Sequence, residues 1–126
     1  METSTKIAVG VDIIEIDRIE RATLTLQDSF LKRVYTQAEL KLSENDASSL
    51  AVRFAAKEAV MKALGTGARG IGWKDIEILD NSAGAPFIQL YGKALNKARE
   101  VGLSQFSVSL SHSKQYAVAM VVGYAA

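Results

Sequence analysis

With 126 residues, 48% of them apolar, a single proline and no low-complexity tract, the sequence has the size of one domain with a real core, which excludes long disordered linkers. A formal net charge of +1 excludes bulk attraction to nucleic acid or an anionic membrane, so any recognition of anions must be local. The lack of cysteine excludes disulfides and thiolate metal sites, Met1 to Lys6 has no signal-peptide pattern, and the longest apolar run, 116–126, is shorter than the roughly 20 residues that span a bilayer, so a soluble cytoplasmic protein is expected.

In chain order, Ile7, Val9 and Val11 alternate with Ala8 and Gly10 and predict an opening strand, with Asp12 near its end. Asp17 is placed to cap a short helix that holds Arg18, Ile19, Arg21 and Ala22. Residues 28–45 predict one or two further helices, with Phe30, Val34, Leu40 and Leu42 inward, and Asn45-Asp46 breaks the pattern. The next helix, capped by Ser48 or Ser49, runs to about Leu64. Its Val52, Ala55, Ala56, Ala59, Val60 and Ala63 share one broad arc, and Arg53, Lys57, Glu58 and Lys62 are expected on the opposite half. Gly65 is placed as its C-cap. A hairpin follows, with strands over 75–79 and 87–90 and a turn at 81–84, then a helix over 91–101. Phe106 to Leu110 alternates against serines, and a turn at 113–115 leads to a buried closing strand, 116–122. The order predicts an α+β domain with a mainly antiparallel sheet packed against a long helix, and no internal repeat is visible.

The stretch 53–67 carries the strongest chemical signal: three cations and one carboxylate on a helix otherwise made of alanine and aliphatics, running into Gly65-Thr66-Gly67. Such a set suits a partner with several phosphates and a divalent metal. Residues 65–70 spell G-x-G-x-x-G, but a helix rather than a strand precedes them, which rules out the dinucleotide fold. The loop is either a plain segment after a helix cap or a place where exposed N–H groups hold a diphosphate. Glu58 and Lys62 have the spacing of an ordinary i,i+4 ion pair. Alternatively Glu58 is a metal ligand, with Asp12 as the natural second carboxylate, because a hard cation takes oxygen donors and substrate phosphates. His112, the sole histidine, shares a strand face with Phe106, Val108 and Leu110; it is either a satisfied structural residue or a ligand contact at a strand end. Ser107, Ser109, Ser111 and Ser113 have no nucleophile-elbow context. Arg18, Arg21, Lys32 and Arg33 form a modest basic group, either solvated or facing an acidic protein.

Four blocks, in order, resemble the holo-acyl-carrier-protein synthases, the small trimeric class of phosphopantetheinyl transferases: Gly10-Val11-Asp12-Ile13, Phe30 to Thr36 with Glu39-Leu40, Arg53 to Ala59 with Lys62-Ala63 and Gly65-Thr66-Gly67, and Ser109 to Ser113 with Tyr116-Ala117. Asp75 to Ile78 and Gly84-Ala85-Pro86 also fit, so the likeness covers nearly the whole chain. The resemblance implies transfer of the phosphopantetheine arm of coenzyme A to a serine of apo-acyl carrier protein, leaving adenosine 3′,5′-bisphosphate. It implies magnesium on Asp12 and Glu58, and Lys62 beside the diphosphate. It gives Arg53, Lys57, Gly65, Thr66, Gly67, Pro86, Ser111, His112 and Ser113 to coenzyme A, with Arg53 and His112 at the adenosine and 3′-phosphate end. Arg18 and Arg21 would meet the acidic carrier protein. The acceptor of the serine proton stays open between a water on the metal and Asp12. The basic group is sparse where relatives often carry more cations, at Thr23, Thr25, Gln27 and Ser29, and the role of 68–72 is open. A non-catalytic coenzyme or nucleotide-diphosphate binding module, and a structural oligomer whose helix charges are only salt bridges, are the alternatives.

Overall fold

A computed structural model describes residues 6–26, 28–67 and 70–125. The expectations for Met1 to Thr5, Gln27, Ala68 and Arg69 therefore lie outside the described residues. The elements are β1 (Ile7–Glu15), α1 (Ile16–Leu26), α2 (Asp28–Val34), α3 (Gln37–Ser43), α4 (Ala47–Leu64), a 3-10 turn (Trp73–Asp75), β2 (Ile76–Asp80), β3 (Pro86–Leu90), α5 (Gly92–Glu100), β4 (Gln105–His112) and β5 (Tyr116–Tyr124). All strand pairing is antiparallel, and it is divided between a three-stranded sheet in the order β1-β5-β4 and the separate β2-β3 hairpin.

The first helix is longer than the sequence suggested. It starts at Ile16, so Asp17 lies in its first turn and pairs with Arg21 at 3.0 Å instead of capping. The cap of α4 is Asp46, whose Oδ2 accepts from the Ser49 N–H at 2.8 Å; Ser48 and Ser49 lie inside the helix. Gly65 does end α4, in the left-handed region at φ 79°, where a side chain is strained and glycine is not. Leu42 is exposed, unlike Phe30 and Val34.

The main correction concerns α4. It is buried almost all round, so the four charged residues do not share one solvated half. Ala51, Ala55, Ala56, Ala59 and Ala63 pack toward the core with almost no exposure. Their small size lets the three-stranded sheet come close. At Gly10 of β1 the approach is closest: a Cβ there would sit 1.8 Å from the Ala59 carbonyl oxygen, so only glycine fits. Strand alternation divides the faces of this sheet. The Gly10–Asp12–Ile14 side of β1 meets α4, while Ile7, Val9, Val11 and Ile13, each more than half exposed, point the other way with Met120 and Tyr116 of β5.

Candidate active site

Two residues after the Gly10 contact, Asp12 faces α4 at the level of its last turns. Lys62 reaches across from α4 and donates to Asp12 Oδ1 at 3.1 Å and to the Val11 carbonyl at 2.9 Å. Lys62 does not close the i,i+4 pair with Glu58 that its spacing suggested; its partners are on β1. Glu58, one turn before Lys62, is half-buried. Burial, and next the charge of Asp12, push its carboxyl above the usual range, against the opposing pull of Lys62 and of Arg18 on α1. Positions 12 and 58, far apart in the chain, thus form one electrostatic unit. Both offer carboxylate oxygens, and a backbone carbonyl lies alongside, which is the donor set a hard divalent cation prefers. The charge of a metal would also relieve the mutual repulsion that raises Glu58.

The glycine turn follows directly. The Gly65 N–H donates to the Lys62 carbonyl at 3.0 Å, and Gly67 also has a positive φ, 56°. The Thr66 hydroxyl donates to the Gly67 carbonyl at 2.8 Å. These residues therefore lie just past Lys62, at the end of α4 where the two acids meet.

The other two cations of α4 point elsewhere. Lys57 is wholly buried, and its ammonium donates to Glu39 Oε1 at 2.8 Å, to the Trp73 carbonyl at 3.0 Å and to the Ile76 carbonyl. Burial pulls its pKa down and Glu39 pulls it back up. This corrects the expectation that Lys57 projects with Glu58 and Lys62: in the described chain its donors are turned inward. Glu39 also accepts from the Thr36 and Ile78 N–H groups, at 2.9 and 2.8 Å, so one ion pair ties α3, α4 and β2 together. Sequence reasoning named Glu39 only within a family block and gave it no role, although Thr36-x-x-Glu39 spells a capping box, and the box is formed. Arg53 is also turned inward, at 5% exposure. It donates to the Ile78 carbonyl at 3.2 Å and to the Ser49 hydroxyl at 2.8 Å, and it pairs with Asp80 at 3.3 Å. Pro86 lies opposite Asp80, the ion-pair partner of Arg53, in the hairpin.

Ser111, His112 and Ser113 lie at the end of β4 and its turn, where the Ser113 hydroxyl accepts from the Tyr116 N–H at 3.1 Å. His112 is exposed and faces the start of α4. Hydrogen bonds from Ser48 and Ser49 hold the Asp46 carboxyl there below the usual range. A cavity of about 790 Å³ opens here, lined by Ile16, Leu24, Asp46, Leu50, His112 and Lys114 among others. The sequence pointed only to its histidine and Ser113; the apolar floor from α1 and Leu50 carries no local signal. Asp46 and Lys62 stand near opposite ends of an 18-residue helix, about 27 Å long at 1.5 Å per residue. His112 and the acid pair therefore lie toward different ends of α4. Arg18 and Arg21 are both exposed on α1, whose far end also exposes Leu24 and Leu26. Arg18 is close enough to Glu58 to act on its charge.

Residues 8–121 match the model of the 4′-phosphopantetheinyl transferase superfamily. The chain is 46% identical over 124 residues to the holo-[acyl-carrier-protein] synthase of Herpetosiphon aurantiacus, covering 93% of this chain and 98% of that one. It is 50% identical over 113 residues to the enzyme of that name from Dehalococcoides mccartyi, covering 90% and 94%. Its structure is similar to that of Helicobacter pylori holo-[acyl-carrier-protein] synthase in complex with coenzyme A, with a TM-score of 0.83, 34% identity and coverage of 91% and 98%. The Neisseria meningitidis synthase gives a TM-score of 0.82 at 37% identity, covering 92% and 96%.

Proposed function

The chain belongs to the holo-[acyl-carrier-protein] synthases of the 4′-phosphopantetheinyl transferase superfamily, and from that premise we propose that it moves the phosphopantetheine arm of coenzyme A onto a serine of apo-acyl carrier protein, in a magnesium-dependent reaction in the cytoplasm. The observation that carries the reading is the meeting of Asp12, Glu58 and Lys62 where β1 crosses α4.

The serine oxygen forms a bond to the phosphorus that carries pantetheine. The bond from that phosphorus to the bridging oxygen breaks, the serine proton leaves, and adenosine 3′,5′-bisphosphate departs with the electron pair. Transfer of this kind depends on positioning and on stabilising charge. Asp12 and Glu58 would hold the metal, which when bound supplies Lewis-acid polarisation of the diphosphate. Lys62 would stabilise the charge that grows on the departing phosphate. The N–H groups of Gly65 and Thr66 already donate to the Lys62 and Met61 carbonyls, so the glycine turn would serve the same oxygens by letting them come close at Gly67. The Asp12 carboxylate would accept the serine proton. His112, Ser111 and Ser113 would meet the adenosine end, with Arg53 and Pro86 at the hairpin. Lys57 would act through its grip on Glu39, because its own donors are committed.

Arg18 and Arg21 would meet the acidic carrier protein, and the neighbourhood of Arg18 and Glu58 would bring that docking surface to the reacting phosphate. The apolar outer face of the three-stranded sheet supports a homotrimer, in which one protomer's acid pair could be served by a neighbour's His112 end.

The test is mass spectrometry of apo-carrier protein after incubation with the chain, coenzyme A and magnesium. Asp12→Asn and Glu58→Gln should each slow transfer by on the order of a hundredfold or more, the scale of a metal contribution of several kcal/mol, while circular dichroism stays native. Full transfer by both variants would defeat the proposal, and coenzyme binding with no transfer by the wild type would reduce the chain to a binding module.

A further inference from the structure

Lys62 occupies an unusual place for a residue that is to act on a diphosphate. Its ammonium donates to two oxygens of β1, Asp12 Oδ1 at 3.1 Å and the Val11 carbonyl at 2.9 Å. These oxygens, with Glu58, are the donors that fit a divalent cation. An oxygen that accepts from an ammonium cannot give the same lone pair in full to a metal, and two cations at that range repel each other. Lys62 is also free to move: its side chain is about half exposed, at 52%, on a flexible four-carbon stem.

We propose that Lys62 is the resident counter-ion of the Asp12–Glu58 pair, and that it leaves Asp12 for the diphosphate of coenzyme A as a divalent cation takes its place, so that metal and coenzyme bind as a coupled pair. The inference rests on the transferase reading and adds an order to it.

The charges support this arrangement. Two acids brought together by the Gly10 contact need a cation, and Lys62 supplies one, 3.1 Å from Asp12 Oδ1. Of the other nearby cations, one is held elsewhere and one acts only on the Glu58 side of the pair. Lys57 is wholly buried with three acceptors, and Arg18 acts on Glu58 from α1. Once displaced, Lys62 has lost its acceptor on β1 and stands one turn before the glycine turn, where a diphosphate would restore one. Each ligand then improves the site for the other, and the coupling is reciprocal.

The test is direct titration with Mn2+, read from the paramagnetic resonance of free Mn2+, with and without coenzyme A. In the wild type, coenzyme A should tighten Mn2+ by about tenfold, within the usual range of such couplings. In Lys62→Met, Mn2+ alone should bind about tenfold tighter, and the effect of coenzyme A should fall to near unity. Unchanged Mn2+ affinity in this variant overturns the proposal. A second measurement needs no variant of the site: in lysine-labelled wild type, the Lys62 Nζ resonance should shift when Mg2+ and coenzyme A are added. A resonance that does not move also overturns it. If the wild type transfers phosphopantetheine while either result fails, only the displacement falls. If the wild type neither binds coenzyme A nor transfers the arm, the transferase reading falls with it.

Discussion

Lys57 and Lys62 show how far residue type alone can mislead. Both are lysines on one helix, five positions apart, yet the first is sealed among Glu39 and two carbonyls and the second lies over Asp12. Their positions relative to β1 and β2 decide this, and those strands are remote in sequence. Glu58 was legible as a candidate ligand because it lies in an apolar helix near a glycine loop, and Asp12 because it follows a core strand; their meeting was expected only through the family resemblance, because it depends on how closely a strand and a helix pack. Asp46 was passed over as part of a helix break, although it is the residue that caps α4. Its carboxyl is held below the ordinary 3.8 by Ser48 and Ser49. A group whose folded pKa is depressed contributes stability above its unfolded pKa and loses it as the pH falls through the folded value. Asp46→Ala should therefore cost about 1 kcal/mol at neutral pH, the usual worth of such a cap. In thermal melts taken at successively lower pH, the gap between variant and wild type should close below pH 3.8. A gap that is constant with pH would count against the charged cap.

At the scale of elements, α4 has two working sides. Arg53 and Lys57 pin one side to the hairpin and α3, and Glu58 and Lys62 meet β1 from the other. The run of alanines made close packing legible, but its partner could not be named. That partner is β1, and Gly10 is what allows the contact. Gly10→Ala should push the strand off the helix, because its Cβ meets backbone atoms that cannot rotate away. A loss of about 3 kcal/mol is expected in chemical denaturation, the upper part of the usual cost of overpacking. Mn2+ affinity should fall with it, since Asp12 moves with β1. Unaltered stability would show that the two backbones do not touch as described. The period-2 pattern gave β4, and β5 was legible as a continuous apolar run after a turn. The division into two sheets was not legible, because both sets of strands carry the same pattern.

At the scale of the whole molecule, the outer face of the three-stranded sheet is the feature that a lone protomer does not account for. Ile7, Val9, Val11, Ile13 and Met120 are all about half exposed or more, and a contiguous apolar face of this kind marks an interaction site. If the chain assembles as proposed, Val9→Lys or Met120→Lys should convert it from trimer to monomer in sedimentation equilibrium, with native circular dichroism. A wild type that sediments as a monomer would end the assembly proposal. Among the described residues no helix is long and apolar enough to cross a membrane.

The alternation of β1 ties these scales together. Its even positions supply Gly10 and Asp12 to the helix, and its odd positions supply the outer face. A slip of one residue against β5 would exchange the two sets. Asp12 would then turn outward among aliphatic groups, and Val11 and Ile13 would crowd beneath α4. If the chain assembles and holds a metal as proposed, a misfolded copy would lose both capacities at the same moment, and defective chains would be left out of the assembly instead of spoiling it.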